Sequence, residues 1–319
     1  MKWIIGIIGL AALLMAVTYW WAGKDEIALT EAEQAKAPGK FLQASAGRLH
    51  YRTDGPEDGP VILMVHGYST PNFIFEQNAK ALAAAGFRVV RFDHFGRGWS
   101  DRPGGPYTVD FYDREVLDVL DGLGITEPVG IVGLSMGGPI VSEFAARHPE
   151  RVSRVALLVP AGLDIAGAGS ASGQLVRVPL IGDWMWRVSA KKILLSDPQY
   201  DESALAPENR LQGDVTEQLK YRGYFPALLS TFRHFPMTGR QETFRRLAET
   251  GLPVLAVYGS ADETVLISSY EKFEALVPKA ELMIVNDGTH GLNYQRHDII
   301  NPVLVHFFSR ADTEGDSAP

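Results

Sequence analysis

A serine between glycines, at the junction of a predicted strand and a predicted helix, is the residue of this chain best suited to be a nucleophile. The apolar run Val129–Val132 enters Gly-Leu-Ser-Met-Gly-Gly at residues 133–138, and a helical pattern follows. A sharp strand-to-helix turn strains the backbone of its central residue, and glycines on both sides let neighbouring chains pass closely. We therefore expect Ser135 to expose its hydroxyl beside the amides of a helix N-terminus.

A serine hydroxyl is a weak nucleophile at neutral pH, so it needs an adjacent base and an acid that orients the base. Two later strands end in suitable side chains. The predicted strand Val254–Tyr258 is followed by Asp262, and the predicted strand Glu281–Val285 is followed by His290 in Gly-Thr-His-Gly. Serine, aspartate and histidine in this chain order predict a nucleophile, an orienting acid and a base.

With these residues in this order, the chain resembles the α/β-hydrolase superfamily of esterases, lipases and related enzymes. The resemblance covers Phe41 to Ser309 and includes His66-Gly67 and the segment D-x-x-G-x-G-x-S-D-R-P that begins at Asp93. It implies the α/β-hydrolase fold: a mostly parallel eight-stranded sheet flanked by helices, with a helical cap inserted after the sixth strand.

The resemblance also implies roles for individual residues. His290 would take the proton of the serine and return it to the leaving group, while Asp262 holds the imidazole tautomer. The oxyanion of the tetrahedral intermediate would be bound by two backbone amides, those of Tyr68 and Met136, each worth on the order of 3–4 kcal/mol.

Other polar residues near these landmarks are assigned lesser roles. His66 is expected to organise the loop that carries the oxyanion amide, and Asp93 and Arg97 to fix a turn without taking part in the chemistry. Three carboxylates remain alternatives to Asp262 as the acid: Asp164, which follows the preceding strand, and Glu263 and Asp287.

The alternation of strands and helices stops between about Leu163 and Pro236, where aromatic-rich helical segments predict the cap. Tyr221–Leu229 is similar to the four-helix type of cap in the family. Large side chains of the cap are candidates to line an apolar tunnel above Ser135, although they would equally fill the core of the cap itself. These candidates are Trp184, Met185, Trp186, Tyr224 and Phe225.

The N-terminal segment is a candidate membrane anchor. Trp3–Ala22 carries no charge, is long enough to cross a bilayer and ends in Tyr-Trp-Trp, as an interfacial aromatic belt would. A cleaved signal peptide is the alternative, although bulky residues make a poor cleavage site. The weak positive charge ahead of the span favours a catalytic domain on the periplasmic or extracellular side; a cleaved segment would give a secreted protein.

These patterns divide the chain into six parts. They are an anchor or signal segment (1–23), a juxtamembrane spacer (24–40), the first part of the hydrolase core (41–162), the cap (163–237), the second part of the core (238–310) and a disordered tail (311–319).

Composition narrows the functional classes. The chain contains no cysteine, which excludes disulfides and thiolate metal sites, and its net charge of −8 with scattered basic residues argues against nucleic-acid binding. No metal-ligand cluster or nucleotide-binding motif is evident, so no cofactor is expected. An aspartate nucleophile, as in dehalogenases and epoxide hydrolases, is excluded by Ser135.

The sequence alone favours a membrane-anchored serine hydrolase of hydrophobic carboxylic esters, such as a carboxylesterase or a monoacylglycerol-lipase-like lipase. Within the same fold, the alternatives are a carbon–carbon bond hydrolase and a cofactor-free haloperoxidase. A non-catalytic ligand-binding protein is the alternative from another class. The oligomeric state is not predicted.

Overall fold

The computed structural model describes residues 1–197, 200 and 210–310 of the chain. One sheet of eight strands lies at its centre. The strands are β1 (Lys40–Ala44), β2 (Gly47–Asp54), β3 (Val61–Val65), β4 (Arg88–Phe92), β5 (Val129–Leu134), β6 (Val152–Leu158), β7 (Val254–Gly259) and β8 (Glu281–Val285).

The helices of the described residues follow the predicted alternation with the strands. They are α1 (Lys2–Gly23), α2 (Glu31–Gln34), α3 (Glu76–Ala84), α4 (Val109–Gly122), α5 (Gly137–Arg147), α6 (Ala171–Arg177), α7 (Ile181–Leu195), α8 (Leu211–Gln218), α9 (Tyr224–His234), α10 (Gln241–Glu249), α11 (Ser268–Leu276), α12 (Leu292–Gln295) and α13 (His297–Ser309). Short 3₁₀ segments cover Asn72–Phe75 and Pro149–Arg151.

The sheet has the strand order β1-β2-β4-β3-β5-β6-β7-β8. The pairs β1–β2 and β2–β4 are antiparallel, and every later pair is parallel. The strand β5 lies in the interior of the sheet and all its residues are buried, as its wholly apolar composition predicts. Because β5, β7 and β8 run parallel, their carboxyl ends meet at one edge. The predicted fold class is confirmed.

Helices cover both faces of this sheet. On one face, apolar residues of α4, α5, α10 and α11 pack on the strands, among them Val116, Phe144 and Phe244. On the other face, α3 and α13 contribute residues such as Leu82 and Leu304. A sheet buried on both faces holds its strand ends rigidly, and residues that follow those ends are therefore well positioned.

The segment between β6 and β7 contains α6–α10 and no strand among its described residues. Helix α9 lies against the loop that follows β3, because the Tyr68 hydroxyl donates to the Leu228 carbonyl at 2.8 Å. It is also held by Arg97, whose Nη2 donates to Thr231 Oγ1 at 2.8 Å. The insertion after the sixth strand is thus helical, as predicted. The predicted tail, residues 311–319, lies outside the described residues.

Helix α1 is the one helix of the described residues that is long and apolar enough to span a membrane, with a mean hydropathy of 2.0. None of its residues is buried. The spacer after it contacts the rest of the protein. Ile27 pairs with Tyr221 in a short parallel bridge, and the buried Gln34 of α2 donates to Asp101 Oδ1 at 2.8 Å. The spacer therefore ties α1 to the catalytic part of the chain.

Candidate active site

Ser135 lies in the turn between β5 and α5 and has a positive φ of 53°. The glycines around it are sterically required. A Cβ on Gly133 would lie 2.5 Å from the carbonyl oxygen of Gly137, and one on Gly137 would lie 2.2 Å from the carbonyl oxygen of Val65. The turn therefore holds Ser135 in a conformation that side-chain-bearing residues seldom adopt, and it points the hydroxyl away from the sheet.

Three side chains from different strand ends meet at this turn. Ser135 Oγ lies 2.9 Å from His290 Nε2. His290 Nδ1 in turn lies 2.9 Å from Asp262 Oδ2. The geometry assigns the proton to Nδ1, which donates to the carboxylate, so that Nε2 is free to accept the serine proton. The structure thus brings together the three residues that the sequence nominated.

The carboxylate of Asp262 is also held in place by hydrogen bonds. Asp262 Oδ1 accepts from the backbone amides of Thr264 at 2.7 Å and Val265 at 2.9 Å, which leaves Oδ2 for the histidine. Burial opposes the charged form of His290, but the hydrogen bond and the negative charge of Asp262 outweigh it. The pKa of His290 is therefore raised above its ordinary value.

This shift gives an expected pH dependence. Only the neutral imidazole can accept the serine proton, so kcat/KM should rise with pH through a midpoint above about 6.5, the ordinary histidine value. Because the pKa of His290 is raised, kcat/KM should increase at pH values above the ordinary histidine pKa. The measurement is kcat/KM on a non-ionising substrate across the range. A profile that is flat from about pH 5 to pH 9 would contradict His290 as the base.

The alternative acids lie elsewhere. Asp164 accepts hydrogen bonds from Lys272 Nζ at 2.6 and 2.7 Å and from Ser268 Oγ at 2.6 Å, in a partly exposed ion pair. Asp287 occupies a turn with a φ of 55°, and its amide donates to Ser260 Oγ. Neither of these carboxylates is bonded to His290 in the described structure. Asp262 is the partner that the geometry supplies.

The amides of Tyr68 and Met136 are the predicted oxyanion donors. Met136 is the residue before the first turn of α5, and neither amide donates a hydrogen bond to another described residue. Both residues line a cavity at Ser135. Arg97, which is fully buried, donates from Nε to the Tyr68 carbonyl at 3.0 Å and so fixes the orientation of that peptide.

Buried histidines support the loop that carries Tyr68. His66 Nε2 accepts from the His94 amide at 3.0 Å, so the proton of His66 is on Nδ1, which donates to the Gly67 carbonyl at 2.8 Å. His94 Nδ1 contacts Glu115, whose pKa is raised well above its ordinary value by burial. Burial lowers the pKa of His66 well below its ordinary value. A neutral His66 bonded on both nitrogens organises the loop rather than carrying protons.

Asp93, like these histidines, lies in a buried hydrogen-bond network near the loop that carries Tyr68. It is buried and accepts from His50 Nδ1 at 2.7 Å and from the amides of Asn72 and Trp99, both at 2.9 Å. Burial opposes the charged form of Asp93, but the neighbouring His50 and the hydrogen bond from the Asn72 amide lower its pKa. These bonds close the turn after β4 next to the oxyanion loop.

Two cavities open at Ser135. The larger has a volume of about 340 Å³ and is lined mainly by small and apolar residues. The smaller, of about 120 Å³, lies on the histidine side and is lined by residues that include Ser69, Thr70 and Leu194. Both cavities therefore offer space for parts of a substrate next to the Ser135 hydroxyl.

The five cap residues predicted to line the substrate pocket do not line either cavity. Trp184 donates from Nε1 to Thr18 Oγ1 of α1 at 2.8 Å, and Met185 follows it on the same helix. Trp186, Tyr224 and Phe225 are buried in the cap. Trp186 stacks on Phe232, which does line the larger cavity, with ring centroids 6.4 Å apart. The described contacts of these residues are therefore packing contacts. Trp186 does not line the larger cavity itself but packs on Phe232, which does.

The lining of the larger cavity comes instead from residues that the sequence analysis did not single out. They lie in the run that begins at Ile165, on α6, on α9 and in the loop after α9: Ile165, Ala166, Gly167, Ala168, Gly169, Gly173, Gln174, Arg177, Phe232, Pro236, Met237 and Thr238. The run of alternating alanine and glycine after Ile165 was the available signal, because such a run leaves space above a nucleophile. Apart from His290, Arg177 is the one basic side chain among the described residues that line the two cavities.

Comparison with known proteins agrees with this geometry. Residues 60–174 match the family model described as the alpha/beta hydrolase fold. A 2-hydroxy-6-oxononadienedioate/2-hydroxy-6-oxononatrienedioate hydrolase of Burkholderia vietnamiensis is 26% identical over 308 residues, covering 90% of this chain and 99% of the relative. The similarity therefore extends over nearly the whole length of that hydrolase.

Solved structures agree as well. A meta-cleavage product hydrolase from Pseudomonas fluorescens has a TM-score of 0.65 and 25% identity, covering 85% of this chain and 97% of the other. An enol-lactonase from Burkholderia xenovorans has a TM-score of 0.71 and 23% identity, covering 85% and 100%, and shows the fold. The 2-hydroxy-6-oxo dienedioate hydrolase and the meta-cleavage product hydrolase support the carbon–carbon hydrolase alternative better than the ester hydrolase that the sequence favoured. The chain is thus similar to members of the α/β-hydrolase superfamily and has their fold.

Proposed function

We propose that this protein is a serine hydrolase in which Ser135 attacks a carbonyl carbon, His290 transfers the proton and Asp262 orients His290. The observation that carries the proposal is the pair of 2.9 Å contacts that join the three side chains. The amides of Tyr68 and Met136 would bind the oxyanion of the intermediate. The acyl-enzyme is then released by water, which His290 activates in the same way.

For the reaction class, we propose hydrolysis of a carbon–carbon bond next to a ketone. The Burkholderia relative is named as a hydrolase of 2-hydroxy-6-oxo dienedioates. Such a molecule contains a ketone and no ester, so water can split it only at a carbon–carbon bond beside a carbonyl. The oxygen of water joins the acyl carbon, and His290 donates its proton to the carbon that leaves. The same triad serves both this reaction and ester hydrolysis.

The cavities support a narrower class of substrate than the dicarboxylates in the name of the Burkholderia relative. A bound carboxylate needs a cationic or hydrogen-bonding partner, and apart from His290, Arg177 is the one basic group among the described lining residues. The guanidinium of Arg177 lies 4.8 Å from the centre of the Phe232 ring, over the wall of the larger cavity. We therefore propose a keto acid with one carboxylate and an apolar substituent on the ketone.

A variant of Arg177 tests this substrate class. On a 2-hydroxy-6-oxo dienoate with a methyl or phenyl substituent on the ketone, Arg177→Gln is expected to raise KM by about 10- to 100-fold, because a charge-assisted hydrogen bond is worth about 1.5–3 kcal/mol. The value of kcat should change little, since Arg177 does not contact the triad. Steady-state kinetics on purified protein give both constants.

The matched control is Arg245→Gln, which removes an exposed arginine paired with Glu242 far from the cavities. It should leave both constants unchanged. Equal effects of the two variants would remove Arg177 from substrate recognition. If no keto acid is turned over while esters are, the carbon–carbon reaction class is wrong.

A second candidate is the hydrolysis of hydrophobic carboxylic esters, including lipase-like activity. The specific observation in its favour is the apolar lining of the larger cavity, which suits an aliphatic acyl chain better than a charged one. A panel of p-nitrophenyl esters of increasing chain length tests it. The preference should climb by up to about fourfold per carbon until the cavity is filled, because each methylene contributes about 0.8 kcal/mol.

We also propose a membrane location and retain the division of the chain given above. Helix α1 would anchor the protein by a single span, with residues 24–40 as the spacer, residues 163–237 as the cap and the catalytic domain on the periplasmic or extracellular side. The supporting observation is the apolar, unburied character of α1. A secreted protein that has lost this segment is the alternative.

A further inference from the structure

Large apolar side chains are unusually exposed on α6, α7 and the turn between them. Six such residues lie within this short stretch: Leu175, Val178, Leu180, Ile181, Val188 and Ile193. We call them the α6–α7 surface. Leu180, at the tip of the turn, is 81% exposed and has a positive φ of 68°. Water-soluble surfaces seldom carry contiguous apolar patches without a partner.

Helix α7 is held against the last turns of α1. Trp184 Nε1 donates to Thr18 Oγ1 at 2.8 Å. Arg187 pairs with Glu26, with Nη1 2.6 Å from Oε1, and its guanidinium lies 5.5 Å from the centre of the Tyr19 ring. Thr18 and Tyr19 lie in the last turns of α1, and Glu26 lies just after the helix ends. These contacts fix the α6–α7 surface next to the helix that is apolar enough to span a membrane.

The contact also sets a depth. Thr18 precedes Gly23, the last residue of α1, by five residues, and each helical residue rises 1.5 Å. Trp184 therefore meets α1 about 7.5 Å inside its end, within the roughly 5–10 Å to which interfacial helices enter a bilayer. Tryptophan is a residue typical of that zone.

Charge favours the same partner. The chain as a whole has a net charge of −8, yet the α6–α7 segment carries Arg177, Arg187, Lys191 and Lys192. Lys191 and Lys192 are exposed beside Val188 and Ile193. Basic side chains that flank an exposed apolar face suit anionic lipid headgroups.

We propose that the α6–α7 surface rests in the outer layer of the bilayer that α1 spans, and that the Ser135 cavity is loaded from this lipid surface. Helix α6 joins the two features. Gly173, Gln174 and Arg177 line the larger cavity, while Leu175 and Val178 belong to the exposed surface. The contact with lipid goes beyond the proposed function, whereas the loading of substrate rests on that proposed function. Substrates whose apolar substituent lets them partition into the membrane then reach Ser135 beside the anchor.

The absence of cysteine from the chain permits a direct test of the lipid contact. Leu180→Cys is labelled with an environment-sensitive fluorophore in the full-length protein, reconstituted into vesicles of phosphatidylcholine with phosphatidylglycerol. The emission should shift to the blue, and brominated lipids should quench it. The matched control is Ile284→Cys, at an apolar residue of β8 that is also exposed, at 40%. It should show neither effect.

Three outcomes would overturn the proposal. The first is equal emission and quenching at positions 180 and 284. The second is a blue shift that follows protein concentration in detergent without lipid, which would assign the surface to a second copy of the chain. The third is a mature protein that lacks residues 1–23 and leaves the membrane fraction. None of these readouts depends on turnover, so they fail independently of the proposed catalytic reaction.

The loading of substrate has its own test. Leu180→Asp is expected to lower the turnover of a long-chain substrate dissolved in vesicles by about fivefold or more, because a carboxylate resists entry into the apolar layer. Turnover of a short water-soluble substrate should be unchanged, since Leu180 lines neither cavity. Ile284→Asp is the control. Parallel losses on both substrates would refute loading from the lipid surface.

Discussion

Replacement of Ser135 by alanine is expected to lower kcat by about 10³-fold or more, since the members of such a triad act as a unit. The hydroxyl contacts His290 Nε2 at 2.9 Å, and its loss removes the only nucleophile of the proposed mechanism. The fold should persist, because alanine keeps the Cβ and the backbone bonds of residue 135 to Leu158 and Ala161 remain. Turnover and melting temperature are measured together.

A second variant separates chemistry from backbone strain. Ser135→Gly should be as inactive as Ser135→Ala but more stable, by about 1 kcal/mol, because glycine adopts a φ of 53° without strain. Labelling by a fluorophosphonate should disappear in both variants. Retention of more than a tenth of the activity in either would exclude Ser135 as the nucleophile. A wild-type protein that does not react with the probe would favour a ligand-binding role.

Asp262→Asn is expected to lower kcat by up to about 10⁴-fold, the size of the corresponding effect in serine proteases. The amide group of asparagine would present a donor to His290 Nδ1, which must then accept. The proton would move to Nε2, and this nitrogen could no longer take the serine proton. Loss of the Asp262 charge should also move the midpoint of the pH profile down, because that charge helps to raise the pKa of His290.

Asp164→Asn is the matched control for that substitution. Asp164 is bonded to Lys272 and Ser268 in a partly exposed ion pair, so activity should stay within about twofold and stability should change by less than about 1 kcal/mol. Kinetics and thermal unfolding of both variants give the comparison. A larger loss of activity from Asp164→Asn than from Asp262→Asn would show that the acid follows β6 and not β7.

Local features of the chain could be predicted from the sequence. The strand β5, the turn at Ser135 and the helix α5 follow from an apolar run, flanking glycines and a helical pattern that are adjacent in the chain. The alternation of strands and helices likewise predicts a parallel sheet, and the fold class was confirmed. The break at Arg296 between α12 and α13 has no comparable local signal in the sequence. Short breaks of this kind depend on packing.

The choice among carboxylates was less certain from sequence. Asp164, Asp262 and Asp287 all follow strand ends, and nothing in their immediate neighbours identifies the partner of His290. Two features that only the folded chain shows distinguish them. The amides of Thr264 and Val265 hold one oxygen of Asp262, and Lys272 and Ser268 occupy Asp164.

The substrate cavity was decided by tertiary structure alone. The aromatic residues of the cap have the composition of a pocket wall, but Trp186, Tyr224 and Phe225 pack into the cap, and Trp184 turns to α1. The space above Ser135 is left by small residues, in the run that follows Ile165. A sequence determines which backbone turns are strained and which segments are apolar, because those properties are local. A cavity is the space that distant segments leave unfilled, and only their packing decides where it lies.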